Sequence, residues 1–416
     1  MTFYKETDFQ ETPIGRFPKE WNVARLEDIC EKVRAGGTPL TSKKEYWNGD
    51  LAFVKIEDIT LAGKYLTETK SFISKEGLNN SSAWLVPENS LLFAMYGSMG
   101  EVSINKIPVT TNQAILGIIP QDRDDVEFFY YWYSFFKPRW KKYAKPTTQA
   151  NLTAEILRDS MIPLPSQKER RGIVGVLGVV DSVIAKTGEV IAKTERLKKG
   201  LMQTLLTRGI GHKEYKQTPI GTTPKTWQIA RLGEISEVIM GQSPPGETYN
   251  EKGEGTPLIN GPTEFGEKYP IKSKWTTSLT KLSKENDVFI CVRGHTTGRL
   301  NISDGAYCLG RGVAAIRGIE QNISNTFLYY VLEENQNKIF QRSYAAGSTF
   351  PNVTREELGR VQIPIPPIEE QRQISGMLGS IDKKLELEKK EKSKLERIKQ
   401  GLMDLLLTGK IRVKED

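Results

Sequence analysis

Apolar residues along this chain keep two alternating rhythms. From about Trp21 to Leu164, and again from about Trp227 to Ile365, they fall in short β-branched and aromatic runs. Leu51-Ala52-Phe53-Val54-Lys55-Ile56 and Asp287-Val288-Phe289-Ile290-Cys291-Val292 are examples, set between clusters of Gly, Pro, Ser and Asn. Runs of this length with that punctuation predict short strands. One helix interrupts each stretch, over about Val126 to Tyr143 and about Asn325 to Tyr344, where Phe128, Tyr131, Trp132 and Phe135 recur at helical spacing. Each stretch reads as a compact α+β domain with those rings in its core, base stacking being the other use such rings have.

The rhythm changes after Pro165 and Pro367. No proline follows for about 40 residues, and charged residues interleave with apolar ones. That pattern predicts two long helices, each opening where a proline is tolerated. In the first, Leu177, Val180, Ile184, Ile191, Leu201 and Leu205 occupy the a and d positions of one heptad frame; in the second, 201 residues on, stand Leu378, Ile381, Leu385, Lys392, Leu402 and Leu406. Thr187, Thr194, Glu388 and Lys392 interrupt the seam, which predicts close packing near its ends and a wetter middle. At the helical rise each rod would be about 60 Å long, more than a small domain needs for cover. A rod of that length suggests a spacer.

The chain also repeats itself. Thr12-Pro13-Ile14-Gly15, Pro18-Lys19, Trp21 and Ala24-Arg25-Leu26 return 206 residues later as Thr218-Pro219-Ile220-Gly221, Pro224-Lys225, Trp227 and Ala230-Arg231-Leu232. Ile162-Pro163-Leu164-Pro165 returns as Ile363-Pro364-Ile365-Pro366, and Gly200-Leu201-Met202 as Gly401-Leu402-Met403. The ends of each half match while the interiors largely do not, as expected of a duplicated unit with a fixed frame and a diverged centre. Tandem fusion of equal units tends to mimic a two-fold dimer, in which equivalent helices run antiparallel. The expected architecture is two similar globular domains (1–165 and 211–366) joined by two long antiparallel, coiled-coil-like helices (166–210 and 367–416). They would be related by pseudo-two-fold symmetry, with the N-terminal domain returning beside the C-terminus.

Composition narrows this picture without redirecting it. With 38% hydrophobic and 26% charged residues the chain is a folded protein. It has neither a signal-peptide pattern nor a run of about 20 apolar residues able to cross a bilayer, so the expectation is a cytoplasmic protein with no membrane partner. Cys30, Cys291 and Cys308 lack metal-ligand spacing and read as reduced structural thiols, and no metal site is expected. The net charge of +8 is compatible with a polyanionic partner.

Enzymatic motifs are missing. Gly63-Lys64 is followed by Tyr65 and Gly409-Lys410 by Ile411, so neither is a phosphate loop. No Asn-Pro-Pro-aromatic segment for amino-methyl transfer occurs, and no carboxylate cluster is duplicated in both halves. What recurs is a set of glycine-punctuated loops with basic or amide neighbours. Gly36-Gly37-Thr38-Pro39, with Lys43 and Lys44 after it, corresponds to Gly241-Gln242-Ser243-Pro244. Gly97 and Gly100 correspond to Gly294 and Gly298, with Arg293, His295, Arg299 and Arg311 nearby. A third pair sets Thr147 to Asn151, which includes Gln149 and follows Arg139, Lys141, Lys142 and Lys145, against Ala346 to Thr349, which follow Arg342. Glycine lets a backbone approach a duplex, Lys and Arg neutralise phosphates, and Arg or Gln can pair bidentately with base edges. Taken singly, each loop is equally a solvated turn.

Together, Pro-Lys-x-Trp at the start of each half, Ile-Pro-x-Pro before each rod, the Gln-Lys-Glu-Arg and Glu-Gln-Arg that follow, and the two Gly-Leu-Met segments give a chain that resembles the specificity subunits of type I restriction-modification systems over nearly its whole length. The resemblance implies a non-catalytic subunit that recognises double-stranded DNA at a bipartite, asymmetric site, each domain reading one half. It implies that the two helices set the gap and dock two modification (methyltransferase) subunits, and it leaves room for restriction or translocase subunits. No cofactor is then expected on this chain; S-adenosylmethionine, ATP and Mg belong to the partners. A pure assembly scaffold and a self-sufficient DNA-modifying enzyme are the alternatives, separated from this reading by sequence-preferring DNA binding and by the lack of methyl transfer by the chain alone.

Overall fold

A computed structural model describes residues 2–143, 152–344 and 351–414. The chain forms two compact units, Met1–Gly188 with Lys390–Asp416, and Glu189–Lys389. The division cuts across both rods, so each unit holds the first half of one long helix and the second half of the other.

Both units are built on the same central antiparallel sheet. In the first unit its strands lie in the order Cys30–Ala35, Ile115–Pro120, Leu91–Ala94, Val102–Asn105, with Tyr65–Leu66 added in parallel at the edge. In the second unit the order is Ser236–Met240, Val313–Gly318, Val288–Cys291, Leu300–Ile302. Every residue of Leu91–Ala94, Ile115–Pro120 and Val288–Cys291 is buried, as continuous apolar strands between covered faces must be. A smaller second sheet repeats only in part. Thr110–Thr111 pairs in parallel with Trp47–Val54 and Cys308–Leu309 with Thr256–Ile259, but the remaining strands of the two small sheets differ.

The aromatic helix of the first unit runs Val126–Phe136, shorter than its apolar spacing predicts, and continues as a 3-10 turn over Lys137–Lys142. Pro138 is the reason: it lacks the N–H that an α-helix requires, and its ring collides with the preceding turn. No proline interrupts the corresponding helix of the second unit, which spans Asn325–Tyr344. Phe128, Tyr131 and Trp132 are core, and Phe135 is half-buried against them.

The rods run Gln167–Arg208 and Ile368–Leu407. Ser166 caps the first by accepting the Glu169 N–H at 3.2 Å. Gly209 and Gly409 close the two helices in the left-handed region, at φ +64° and +68°, where glycine alone is unstrained. In the first unit Leu177 shares a core with Met403, Leu406 and Leu407; in the second, Ile374 and Leu378 share one with Met202, Leu205 and Leu206. The start of one rod therefore packs on the end of the other, antiparallel, in both units. Along the heptad frame Leu177, Leu205, Leu378, Leu385 and Leu406 are buried, while Val180, Ile184, Ile191, Leu201, Ile381 and Leu402 are half-buried. Thr194 is buried too, its hydroxyl bonded to the Val190 carbonyl, and Thr187, Glu388 and Lys392 are half-buried.

The two ends of the chain meet. Thr2–Lys5 pairs antiparallel with Ile411–Lys414 inside the first unit. All three cysteines are buried free thiols, and burial pushes Cys30 and Cys291 up to about 12. No helix among the described residues is long and apolar enough to cross a membrane.

Candidate nucleic-acid interface and its mounting

The repeated sequence motifs turn out to be a mount. Asn22–Arg25 pairs antiparallel with Met161–Leu164, and Gln228–Arg231 with Gln362–Ile365, so the chain enters and leaves each globular part through neighbouring strands. The tryptophan just before each entering strand is fully buried. Trp21 donates its indole N–H to Glu169 Oε2 at 3.1 Å and Trp227 to Glu370 Oε2 at 2.9 Å, each carboxylate lying in the first turn of a rod. The end of the other rod closes on the same ring. A Cβ on Gly409 would come within 2.4 Å of Pro18, and one on Gly209 within 2.7 Å of Trp227, so glycine is required for contact as well as for conformation. The Pro-Lys-x-Trp, Glu and Gly positions are thus one joint, present in each unit.

From that joint the first central strand of each unit, Cys30–Ala35 or Ser236–Met240, runs about 17–20 Å outward and ends in the first glycine loop. There the other glycine loops gather. In the first unit the Gly37 N–H donates to the Thr111 carbonyl, Thr38 Oγ1 donates to Gln113 Oε1 at 2.6 Å, and the Met95 N–H donates to the Ala114 carbonyl. In the second unit the Gln242 N–H donates to the Leu309 carbonyl, the Arg311 N–H to Ser243 Oγ, and the Val292 N–H to the Gly312 carbonyl. Two of these backbone contacts recur in both edges, Gly37 to Thr111 as Gln242 to Leu309 and Met95 to Ala114 as Val292 to Gly312, while the side chains differ: exposed Thr38 and Gln113 in one, exposed Gln242 and Arg311 in the other.

The basic turn joins this edge in the first unit. Lys137 pairs with Glu101, and a Cβ on Gly100, at φ +84°, would sit 2.9 Å from Trp140. Arg139, Lys141 and Lys142 on that turn are exposed; Arg139 stacks over the Phe135 ring at 4.4 Å. In the second unit Arg293 and His295 are exposed on the loop whose Gly294 N–H donates to the Pro351 carbonyl, with Arg293 bridged to Asn352. Lys43 and Lys44 are exposed on the loop before Trp47; Lys43 donates to the Tyr46 hydroxyl at 3.1 Å, which raises its pKa.

Arg299 has a different role from the one its sequence position suggests. Its guanidinium donates to the Pro262, Phe265 and Gly266 carbonyls, so it holds a turn together and has little left to offer a base. Lys145 and Gln149 lie outside the described residues, as does the side chain of Arg342. Thr38 lies in a loop that the repeat already marked, but Gln113 escaped the sequence reading because no repeated motif reaches it. The signal was available in Asn112-Gln113-Ala114, which stands opposite Gly310-Arg311-Gly312 once the loops are superposed through their shared hydrogen bonds. No group of three or more His, Cys, Asp or Glu side chains among the described residues is placed to hold a metal ion.

The comparisons with known proteins agree with this arrangement. A family model described as the type I restriction modification DNA specificity domain matches residues 18–196 and again 224–397. Over its full length the chain is 33% identical to a provisionally named type I restriction enzyme MjaX specificity subunit of Methanocaldococcus jannaschii, covering 99% of that protein. It is 27% identical to the type I restriction enzyme MjaVIII specificity subunit of the same organism, covering 98%. Among solved structures, a chain from work on complex assembly and conformational transition of the type I R-M system aligns with 95% of this chain and 99% of its own length, with a TM-score of 0.60 at 25% identity. The type I restriction-modification S subunit from M. genitalium shares the fold over 93% of this chain and 96% of its own, with a TM-score of 0.59 at 18% identity. The two family matches fall on the two repeats and take in the tryptophan and carboxylate of each joint, both loop edges and most of both rods; the chain belongs to the family of type I restriction-modification DNA specificity subunits, which recognise sequence and do not catalyse.

Proposed function

We propose that each unit reads one half of a bipartite, asymmetric duplex site through the loop edge opposite its joint. The observation that carries this reading is the contrast between the two edges: the same backbone contacts hold them, yet Thr38 and Gln113 stand in one where Gln242 and Arg311 stand in the other. An amide reads adenine best and a guanidinium reads guanine best, so the two half-sites differ. Arg293 and His295 add to the second edge, and Lys43, Lys44, Arg139, Lys141 and Lys142 contact phosphates beside the first. The paired rods fix the number of unread base pairs and dock two modification subunits. S-adenosylmethionine is bound by those subunits, and ATP and Mg by restriction subunits where present, all in the cytoplasm where the DNA is.

Selection from a random duplex pool with the complete complex tests the reading. Two short dissimilar sequences at one fixed separation are expected. Enrichment of a palindrome, or of no sequence over competitor DNA, would remove the proposal in favour of a scaffold.

The phosphate assignment has its own consequence. Lys141→Ala with Lys142→Ala is expected to weaken binding equally on matched and mismatched duplexes, and to reduce the slope of log K against log salt by about 2, one for each lost contact. A change in the enriched bases instead would place these lysines among the base readers.

A further inference from the structure

Each unit contains a polar junction where three elements meet on one carboxylate. In the first unit Asp181, on the first rod, accepts from Lys399 of the second rod at 2.6 Å through Oδ1 and from the Tyr131 hydroxyl of the globular part at 2.7 Å through Oδ2. In the second unit Asp382, on the second rod, accepts from Lys198 of the first rod at 2.8 Å through Oδ1 and from the Tyr330 hydroxyl at 2.7 Å through Oδ2. Both carboxylates follow a Leu-Gly pair by one turn, and the two tyrosine hydroxyls lie near Gly178 and Gly379.

A second cation and a second carboxylate back each junction from the globular side. Lys64 donates to the Tyr131 hydroxyl at 2.9 Å and pairs with Glu127, while Lys268 approaches Asp382 at 3.3 Å and Glu333 pairs with Lys198 at 3.0 Å. Each cluster thus joins two cations to two carboxylates and is neutral. Burial penalises the charge on Asp382, but the hydrogen bonds from Lys198 and Tyr330 outweigh it and hold the carboxyl below its usual range.

The apolar seam leaves alignment open, because an apolar heptad pattern tolerates a slip that a buried polar contact forbids. Lys198 and Lys399 fall in the same heptad frame as Leu177 and Leu378. A slip of one rod by a single turn, about 5.4 Å, would separate both Lys–Asp pairs, whose carboxylates the tyrosine hydroxyls hold in place.

We propose that the Tyr131–Asp181–Lys399 and Tyr330–Asp382–Lys198 junctions are alignment locks that determine which gap length between half-sites the protein accepts, without touching the bases. These six are positioning residues. The inference rests on the reading that the rods measure a gap, and one experiment separates the two.

The complete complex, carrying wild-type chain, Tyr131→Phe with Tyr330→Phe, or Lys198→Met with Lys399→Met, selects from a random duplex pool. Wild type is expected to enrich one gap length. The double variants are expected to enrich the same half-sites at two or more neighbouring gap lengths, with discrimination against a gap one base pair off falling by about tenfold or more, the worth of one hydrogen bond to a charged group. Lys198→Arg with Lys399→Arg keeps the charge and is expected to keep the single gap. If wild type enriches no two-part sequence, the reading of the rods fails. If wild type does, but both double variants hold wild-type gap discrimination or merely bind more weakly at every gap, the locks are structural ballast and the proposal is overturned.

Discussion

Arg412→Met is expected to lower the unfolding free energy by about 3–5 kcal/mol, the usual consequence of removing one member of a buried ion pair. Arg412 is 5% exposed and bridges Glu169 with two parallel bonds, from Nε to Oε1 at 2.7 Å and from Nη2 to Oε2 at 2.9 Å. Its remaining donors reach Glu6 at 2.5 Å and Glu20 at 3.1 Å. Burial works against the guanidinium charge, but the bonds to Glu169 more than compensate and raise its pKa. In the variant the buried Glu169 keeps only the Trp21 indole and a 3.4 Å contact from the Val413 N–H. The chain ends are affected as well, since Arg412 sits in the strand that pairs with Thr2–Lys5. Denaturant unfolding followed by tryptophan fluorescence reads the loss, because the guanidinium lies 5.6 Å from the Trp21 ring. Glu169→Gln in the same chain should recover part of it, as a coupled pair does in a double-mutant cycle. A loss below about 1 kcal/mol would mean the network is solvated and no more than a surface ion pair.

The second unit offers the control. His212 holds the corresponding place, its Nε2 2.8 Å from Glu370 Oε1. Glu370 also accepts from the Ile210 N–H at 2.9 Å and from the Trp227 indole at 2.9 Å. A carboxylate with two such donors is less dependent on any one partner, so His212→Ala should cost less than Arg412→Met.

Much of this architecture was legible in the residues themselves. Proline spacing and heptads located the rods, and the repeated Trp, Pro and Gly positions identified the frame, because both joints close on the same tryptophan, carboxylate and glycine even though Arg412 in one is His212 in the other. The polar junctions were equally duplicated, yet they stayed hidden. Tyr131 reads as one more core aromatic, Asp181 and Lys399 as solvated rod charges, and only the fold brings residues so far apart in sequence onto one carboxylate. Arg299 misled in the opposite sense: an arginine beside glycines looks available to a base, but the carbonyls of a tight turn compete for the same five donors. Pro138 was in plain view, and its effect on the aromatic helix follows from backbone chemistry that apolar periodicity alone does not register.

The length of the rods makes the strongest functional prediction. Gly188 and Lys392 face each other in the seam, the lysine Nζ lying 3.8 Å from where a Cβ on Gly188 would be. Removing Gly188-Glu189-Val190-Ile191 together with Lys389-Lys390-Glu391-Lys392 therefore deletes facing, equivalent segments at the boundary of the compact units, and leaves both tyrosine junctions intact. Four residues shorten a helix by about 6 Å and turn it by about 40° beyond a full revolution. One base pair of B-DNA corresponds to about 3.4 Å and, at about 10.5 per turn, to about 34°. On the reading that the rods run along the duplex, length alone would ask for a gap shorter by two base pairs, and rotation for one. Rotation should decide, because a recognition edge on the wrong side of the duplex makes no base contact at all, whereas a few ångströms can be absorbed by bending. The expected result is a gap shorter by one base pair, unchanged half-sites, and affinity for the original site reduced by about 100-fold or more, since only one half remains readable. Deleting seven residues at the same places is the sharper companion. A heptad keeps the seam frame and turns the rod by only about 20°, while its length of about 10 Å matches three base pairs that rotate by about 100°. That variant should fold with its seam preserved and yet select no two-part sequence at any gap. If it selects a gap three base pairs shorter instead, the rods measure length without regard to rotation, and the edges must swivel on their joints.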